Sequence, residues 1–433
     1  MAKINKFIAS YADALSDFEI TSETTVPPKK VIRRFVRVFK KVDDARCEGM
    51  IDYPLVEIIL IAFLAVLGNA STWSEMEQFG KAKEKWLKKF IKLKNGIPSH
   101  DTFRRVFSLI DTKQLQKATV DFLIDNIKAI KKSLPVDDKE DLRLICVDGK
   151  EQRGTGRKYN TDEKIRNLQT LHVYDASNEI CLYSEAISEK TNEIPVAQEA
   201  LKNMQLNGCI VTFDALHMQK ETVSIICASK GNYVGGLKGN QAGLLEEAEA
   251  YFDTPDLFEH YKSKGDFYES KEKAHGKIER RCYYLVRPSK RKIIKEWKNL
   301  KAFICCVKTI TDTTSDQSKT EVRYYAASMD SIELCAEAIR GHWSVENNLH
   351  WHLDYSLMED DNTTMDKTAF NNYSLINKMV LSLCKLAKPM LKKNTSIRST
   401  RKMFGWNLEL YLMALLTCFD ADTLSDAMMS VKA

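Results

Sequence analysis

Apolar positions along this 433-residue chain follow one period and then another, and the change divides the sequence. Helical spacing, with apolar side chains returning every three or four residues, dominates up to about residue 134. One helix is expected from Pro54, a residue suited to a first helical turn, and another carries Trp86 among Lys81, Lys83, Lys85, Lys88, Lys89, Lys92 and Lys94. A third opens at Pro98-Ser99-His100-Asp101-Thr102, where Ser99 or Asp101 can cap the free amides ahead of Phe103, Val106 and Phe107. The run from Leu55 to Gly68 is the most apolar in the chain, yet it has 14 residues and contains Glu57. A membrane span takes roughly 20, so a buried core helix is expected. The first 30 residues are polar and end on Pro27-Pro28, which predicts a loose lead-in. A basic stretch from Lys29 to Lys41 follows, interleaved with Phe35 and Phe39.

Beyond a linker at Leu134–Asp138 the pattern shortens to strand-length apolar runs. Leu142–Val147 predicts a buried strand that stops at Asp148-Gly149. Leu168–Tyr174 and Ile180–Ala186 predict a hairpin turning through Ala176-Ser177-Asn178-Glu179. Cys209–Phe213 is a further strand, closed by Asp214, and Tyr233–Leu237 another, with helices at Pro195–Met204 and Met218–Ser229. From 240 to 330, Lys- and Glu-rich segments surround strand-like runs at Cys282–Val286, Phe303–Val307 and Val322–Ala326, which predicts a β-rich insertion. Helical periodicity resumes at Ser331. The expected class is α/β: a mixed-sheet core in two parts, 139–239 and 331–433, around the insertion, preceded by a basic lead-in (1–44) and an all-helical domain (45–138).

Charge adds one asymmetry. Residues 1–140 hold 25 Lys/Arg against 19 Asp/Glu, and the rest of the chain holds 40 of each. The positive excess therefore sits in the N-terminal third, a mild sign of a polyanion-binding region. The 11 cysteines are scattered without a Cys-x-x-Cys pair, as free thiols in a reducing compartment would be. No signal peptide is visible, and a cytoplasmic protein is expected.

The chemistry gathers in three places. Two predicted strands end in an acid followed by a small residue, Val147-Asp148-Gly149 and Phe213-Asp214-Ala215, and functional groups of open α/β sheets collect beyond strand ends. Phosphodiester cleavage by two Mg²⁺ ions needs such hard oxygen ligands. With 59 acids in the chain, spacing alone decides nothing, and each Asp also suits a turn cap. The third place is Arg340–Asp354, which holds three of the eight histidines and two of the six tryptophans. A helix there would align His342, Glu346, His350 and Asp354 on one face. A zinc site from His342 and His350, a ladder of hydrogen-bonded core groups, or an active-site wall presenting Glu346 to metal all fit; the wall is preferred.

The motifs run in order over roughly residues 45–420: Leu67-Gly68-Asn69-Ala70, Ile97-Pro98-Ser99-His100-Asp101-Thr102-Phe103, Val147-Asp148-Gly149-Lys150 with Arg153-Gly154, Lys190-Thr191-Asn192-Glu193-Ile194-Pro195, Val211-Thr212-Phe213-Asp214-Ala215, Leu237-Lys238-Gly239-Asn240-Gln241, His275 to Arg281, and His342-Trp343-Ser344-Val345-Glu346-Asn347 with Leu349-His350-Trp351. In this the chain resembles the H-repeat-associated, ISAs-type transposases of bacterial insertion sequences, a branch of the DDE superfamily. The resemblance implies an RNase H-like core and catalytic, metal-holding roles for Asp148, Asp214 and Glu346. It also implies two Mg²⁺ or Mn²⁺ ions, and double-stranded DNA, both terminal inverted repeats and target, as partner of a homo-oligomer near the nucleoid. A Tyr-Arg-Glu-Lys signature of related transposases is not met: His342 stands four residues before Glu346 and Leu353 seven after it. Asp354 and Glu359 thus stay open as the third acid. Lys150, Arg153, Lys238, Arg340 and His342 are the expected DNA contacts, with a basic clamp at His275–Arg281. A metal-dependent nuclease and a silent DNA-binding remnant are the rival readings.

Overall fold

The computed structural model describes residues 3–15, 28–133, 141–158, 164–165, 167–187, 192–274, 276–288, 292–391 and 395–417. Nine strands form one sheet: β1 Arg143–Gln152, β2 Leu168–Asp175, β3 Ile180–Ile187, β4 Cys209–Phe213, β5 Asn232–Leu237, β6 Phe267–Ala274, β7 Lys277–Val286, β8 Ala302–Asp312 and β9 Ser318–Ala327. Their spatial order is β3-β2-β1-β4-β5-β9-β8-β7-β6. β1, β2 and β3 run antiparallel, while β4 and β5 run parallel to β1. Parallel neighbours need crossovers, supplied by helices Glu193–Lys202 and Lys220–Ala228. The hairpin turns at residues 176–179, where the polar tetrapeptide predicts it. This is the mixed sheet with an antiparallel side that the sequence predicts.

Two strand features differ from expectation. β1 does not stop at Asp148: it runs on to Gln152 because β2 pairs with it throughout, as far as Gln152 opposite Leu168. The insertion contains a strand, β6, that the apolar pattern hides. After Phe267 and Tyr268, which pack on the two cores, its sequence alternates Glu269, Lys271 and Lys273 with Ser270, Glu272 and Ala274, the charged side chains of an exposed edge strand. The four insertion strands lengthen the common sheet, joining it where β9 pairs antiparallel with β5.

Each strand feeds two cores, because successive side chains point to opposite faces. Ile145, Val147, Val211 and Phe213 pack with the crossover helices. Leu144, Cys146, Tyr174 and Ile210 face the other way, into a core shared with the N-terminal helices and helix Lys367–Leu391. That long helix touches helices Leu55–Leu67, His100–Leu109 and Thr112–Ser133 on one side and β3 on the other. Leu55–Leu67 is buried at every position except Val56, as its composition predicts. Among the described residues, no helix is long and apolar enough to cross a membrane, and the ten described cysteines are free thiols.

Two expectations about the N-terminus are overturned where it is described; residues 16–27 of the expected lead-in lie outside the described residues. Residues 3–15 are docked: Leu142 N–H donates to Lys3 O at 2.6 Å, Asn5 N–H donates to Leu142 O at 2.8 Å, and Tyr11 Oη donates to Leu386 O at 2.9 Å. Phe7, Tyr11 and Leu15 recur every four residues and are fully buried. The aromatics of the basic stretch also point inward. Phe35 and Phe39, one turn apart on helix Pro28–Phe39, stack at 4.2 Å, and Phe35 lies 5.3 Å from Phe63 and 5.7 Å from Phe122. They are the apolar stripe of an amphipathic helix, while Arg34 and Arg37 bond Asn126 and Asp125. The Lys-rich helix Trp73–Leu87 behaves as a solvated surface, with Trp86 buried and ion pairs Lys81–Glu77, Lys88–Glu84 and Lys89–Glu409. Phe35→Ala is accordingly expected to cost roughly 3–5 kcal/mol of folding stability, read by urea unfolding; an unchanged midpoint would return the ring to a surface role.

Candidate active site

The register of two parallel strands sets the first two acids side by side. The β1–β4 ladder ends with Val147 opposite Phe213, so Asp148 and Asp214 are the next residues on adjacent chains. Asp214 turns away from the sheet immediately, its Oδ1 accepting the N–H of Leu216 at 3.0 Å and of His217 at 3.4 Å. The turn-capping role read from the sequence is therefore real, and it coexists with a place on the cleft wall. Asp148 stays in the sheet with its side chain on the face of Cys146. The residue after it, Gly149, leaves room for the carboxylate of Glu193 on the opposite face, which would have to move if a Cβ were added, since the two would lie 2.6 Å apart.

Glu346 arrives from far along the chain. Ser331 caps helix Ile332–His342 by accepting the N–H of Leu334, and the helix then widens into a π-helical turn over Val345–His350. Such widened turns collect at functional sites because they re-aim side chains that a regular helix would fix. Glu346 and His350 both come over Asp148: His350 Nδ1 lies 3.5 Å from Glu346 Oε2 and 3.8 Å from Asp148 Oδ2. One ligand atom from each of Asp148, Glu346 and His350 falls within a 4.8 Å cluster. These acids open on a cleft of about 750 Å³ whose lining includes Asp148, Asp214, Lys238, His342, Trp343 and Glu346.

The electrostatics follow from crowding. Burial, then the charges of Glu346 and Asp214, push the Asp148 carboxyl up to about 8. Glu346 moves the opposite way, held down by His350 beside it. Two carboxylates this close share one proton, and the more buried Asp148 keeps it. His342 is pushed down to about 4 by burial and so presents a neutral ring, with Nδ1 3.1 Å from Thr212 Oγ1. His350 is likewise lowered by burial.

The other predicted residues separate. Asp354 is occupied by Lys150, whose Nζ lies 2.6 Å from Asp354 Oδ1 and 3.8 Å from Asp360 Oδ1. Glu359 is fully buried, accepting from Ser374 at 2.8 Å and Asn377 at 3.0 Å. Of the three acids weighed for the third position, Glu346 alone lines the cleft. Lys150 is buried under these acids rather than open to a ligand. Arg153 is exposed at a turn pressed against residues 359–361, where a Cβ on Gly154 would come within 2.7 Å of Asn362 O. Lys238 is exposed at the end of β5 and lines the cleft. Arg340 points away, paired twice with Glu272 at 2.9 Å. In the basic motif of the insertion, His275 lies outside the described residues, Arg280 forks onto Glu269, and Arg281 is buried against Glu279 and Glu272. His342 and His350 bond different partners, Thr212 and His172, so they do not form a zinc pair.

Two contributors were not found from the sequence. His172 sits opposite Asp148 in the β1–β2 register, with Nδ1 2.9 Å from His350 Nε2; a histidine inside the apolar run Leu168–Tyr174 was its signal. Arg323 lines the cleft from β9 and lies 5.4 Å over the Trp343 ring. Only the return of the insertion to β5 brings it there.

Residues 139–383 match the family described as Transposase DDE domain, and residues 36–123 match one described as DDE_Tnp_1-associated. "Putative transposase YncI" of Escherichia coli O157:H7 is 30% identical over 393 residues, 89% of this chain and 95% of that one. "H repeat-associated putative transposase YhhI" of Escherichia coli strain K12 is 30% identical over 336 residues, 76% of this chain and 84% of that one. A piggyBac transposase chain, from a synaptic complex with hairpin DNA, aligns over 94% of this chain and 84% of its own at 12% identity and a TM-score of 0.38. With the catalytic-domain match extending over more than half of its length, this chain belongs to the DDE transposase family.

Proposed function

We propose that the cleft is a two-metal site that cuts and rejoins DNA phosphodiesters at the ends of an insertion sequence, with Asp148, Asp214 and Glu346 holding Mg²⁺ or Mn²⁺. The observation that carries this reading is the convergence of three carboxylates, from segments far apart in the chain, on one cleft, where burial and crowding push the Asp148 carboxyl up. Hard oxygen donors in this number suit hard divalent cations, and cations would offset the crowded charge. Two such ions, when bound, supply activation of the attacking oxygen and stabilisation of the leaving one.

The chain's own residues do the positioning. Asp148, whose carboxyl feels the charges of both Glu346 and Asp214, is the natural shared ligand. Lys238 is placed to pair with a phosphate entering the cleft, and neutral His342 to hydrogen-bond one. Arg153 lies further out. Lys150 and Arg340 would reach DNA only by giving up Asp354 and Glu272, so they are secondary candidates. The helical region 45–138 is assigned to holding DNA. Two element ends must meet in one reaction, and assembly of copies on DNA is part of this reading.

Cleavage and strand transfer on labelled DNA carrying the element's ends test it. Wild type should nick and join with Mg²⁺ or Mn²⁺. Loss of a group one layer outside a metal typically costs roughly 10- to 100-fold, so Glu346→Gln, which removes a ligand, should cost more than about a hundredfold. Cutting without joined product would leave a nuclease, and firm binding without either a silent remnant. Charge crowding gives a second readout. A carboxyl raised from 3.8 to about 8 by folding costs stability that is absent below the lower value and complete above the upper one. Asp148→Asn should therefore raise the melting temperature of metal-free protein, by more at about pH 8.5 than at about pH 5. Saturating Mn²⁺ should reverse the order, because only wild type keeps the whole ligand set. A pH-independent difference would mean that Asp148 is not crowded.

A further inference from the structure

We propose that His350 is a fourth protein ligand at this site, so that one ion position takes an imidazole nitrogen beside the carboxylates of Asp148 and Glu346. The inference rests on the reading of the cleft as a metal site and adds a residue, and a chemistry, that three acids do not supply.

The spacing is that of ligands rather than of hydrogen-bonded partners. His350 Nδ1 stands 3.5 Å from Glu346 Oε2 and 3.8 Å from Asp148 Oδ2. The first is at the limit of a hydrogen bond and the second beyond it. Donors that share an ion at about 2.1 Å each lie about 3 Å apart when they meet at right angles, so a small inward movement places all three on one cation.

The ring is already held for that role. Its far nitrogen, Nε2, lies 2.9 Å from His172 Nδ1, and metal-binding histidines characteristically spend the second nitrogen on a hydrogen bond that fixes tautomer and orientation. With His350 Nε2–H donating to His172, the lone pair on Nδ1 faces the two carboxylates. His172 cannot drift, because it is fixed opposite Asp148 in the β1–β2 register. Both rings are buried, at 0% and 4% exposure. The π-helical turn over Val345–His350 is what swings Glu346 and His350 together over Asp148. His342, which also lines the cleft, spends Nδ1 on Thr212 instead.

Imidazole favours Mn²⁺ and later transition metals over Mg²⁺. The two ion positions are thus unequal: the one at Glu346 is the softer, and Mn²⁺ fills it first. The test uses full-length, metal-free protein with one equivalent of Mn²⁺, read by pulsed electron paramagnetic resonance for coupling to ¹⁴N. Coupling is expected in wild type and in His342→Gln, and its loss in His350→Gln, with Mn²⁺ binding weakened more than about a hundredfold, beyond the cost of losing an outer-layer group. Mn²⁺ bound in wild type, and released by Asp148→Asn, but without ¹⁴N coupling would overturn the role of His350 and leave the three-acid site standing. Coupling lost in His342→Gln and kept in His350→Gln would overturn it equally. No Mn²⁺ binding at all would remove the metal site and the proposal together. If the His350 variant does not fold, coupling that survives in His342→Gln decides for His350, and coupling lost there decides against it.

Discussion

Like-charge repulsion among three carboxylates is the constraint that the rest of this structure has to meet. Asp148, Asp214 and Glu346 converge on one partly buried cleft, and nothing in their own chemistry keeps them there. The holding comes from outside. Two of them ride on a parallel ladder whose flanking side chains, Ile145, Val147, Val211 and Phe213, are locked into one core, while Leu144 and Cys146 anchor the same strand in the other. Packing on both faces makes β1 costly to displace, which is what a crowded site needs. The strain that remains appears as a proton on Asp148. Sites of this kind trade stability for function, and here the cost is confined to one side chain.

The same need accounts for how the cations are used. Much of the positive charge near the site holds the scaffold in place. Lys150 ties Asp354 and Asp360 behind the cleft, Lys385 reaches Glu179 at 2.6 Å, and buried Arg401 donates to Val66 O and Ala70 O. Arg340 knits the insertion to the core through Glu272, which Arg281 holds from within the insertion. A count of Lys and Arg cannot distinguish these from cations that would meet phosphate. Buried pairs of this type add little net stability over apolar packing, yet breaking one leaves an uncompensated charge, so they work chiefly as registers. That is why Lys150 and Arg340, the obvious phosphate binders by position in the sequence, are the least available of the five.

Most of the sheet was legible in the sequence because buried strands announce themselves as continuous apolar runs. Both aspartates were legible too, since each directly follows such a run. What escaped depended on partners. The extension of β1 past Asp148 is polar in sequence and exists because β2 lies beside it. Strand β6 is hidden because only Phe267 and Tyr268 at its start are apolar and its second half is exposed on both faces. Phe7, Tyr11 and Leu15 carried a clear four-residue period, but a polar, Thr-rich context after them masked a docked segment. Phe35 and Phe39 carry the same period among cations, a pattern that a DNA-facing interleave and a buried stripe share, and burial is the simpler use of aromatic side chains on one helical stripe. The regular i+4 alignment of His342, Glu346, His350 and Asp354 failed for a different reason: a π-helical turn cannot be foreseen from spacing, and it parts Asp354 from the cleft while bringing His350 in.

The placement of Glu346 closes the argument about the insertion. Nearly the whole of residues 240–330 intervenes between the second acid and the third, and so long an excursion would seem to leave the third acid at the mercy of a loop. The chain avoids this by returning through a ladder. β9 pairs with β5, Tyr324 opposite Leu237 and Ala327 opposite Val234, and the pairing is continued by Ser328, whose N–H donates to Tyr233 O at 3.1 Å while its Oγ accepts from Tyr233 N at 2.9 Å. Helix Ile332–His342 begins four residues later from that fixed point. The length of the insertion is then immaterial to the site, but its register is not, since a slip of one residue along β5 would turn every side chain of β9 to the other face and move the start of the helix with it. The third acid, remote in sequence, is positioned by strand pairing just as the first two are.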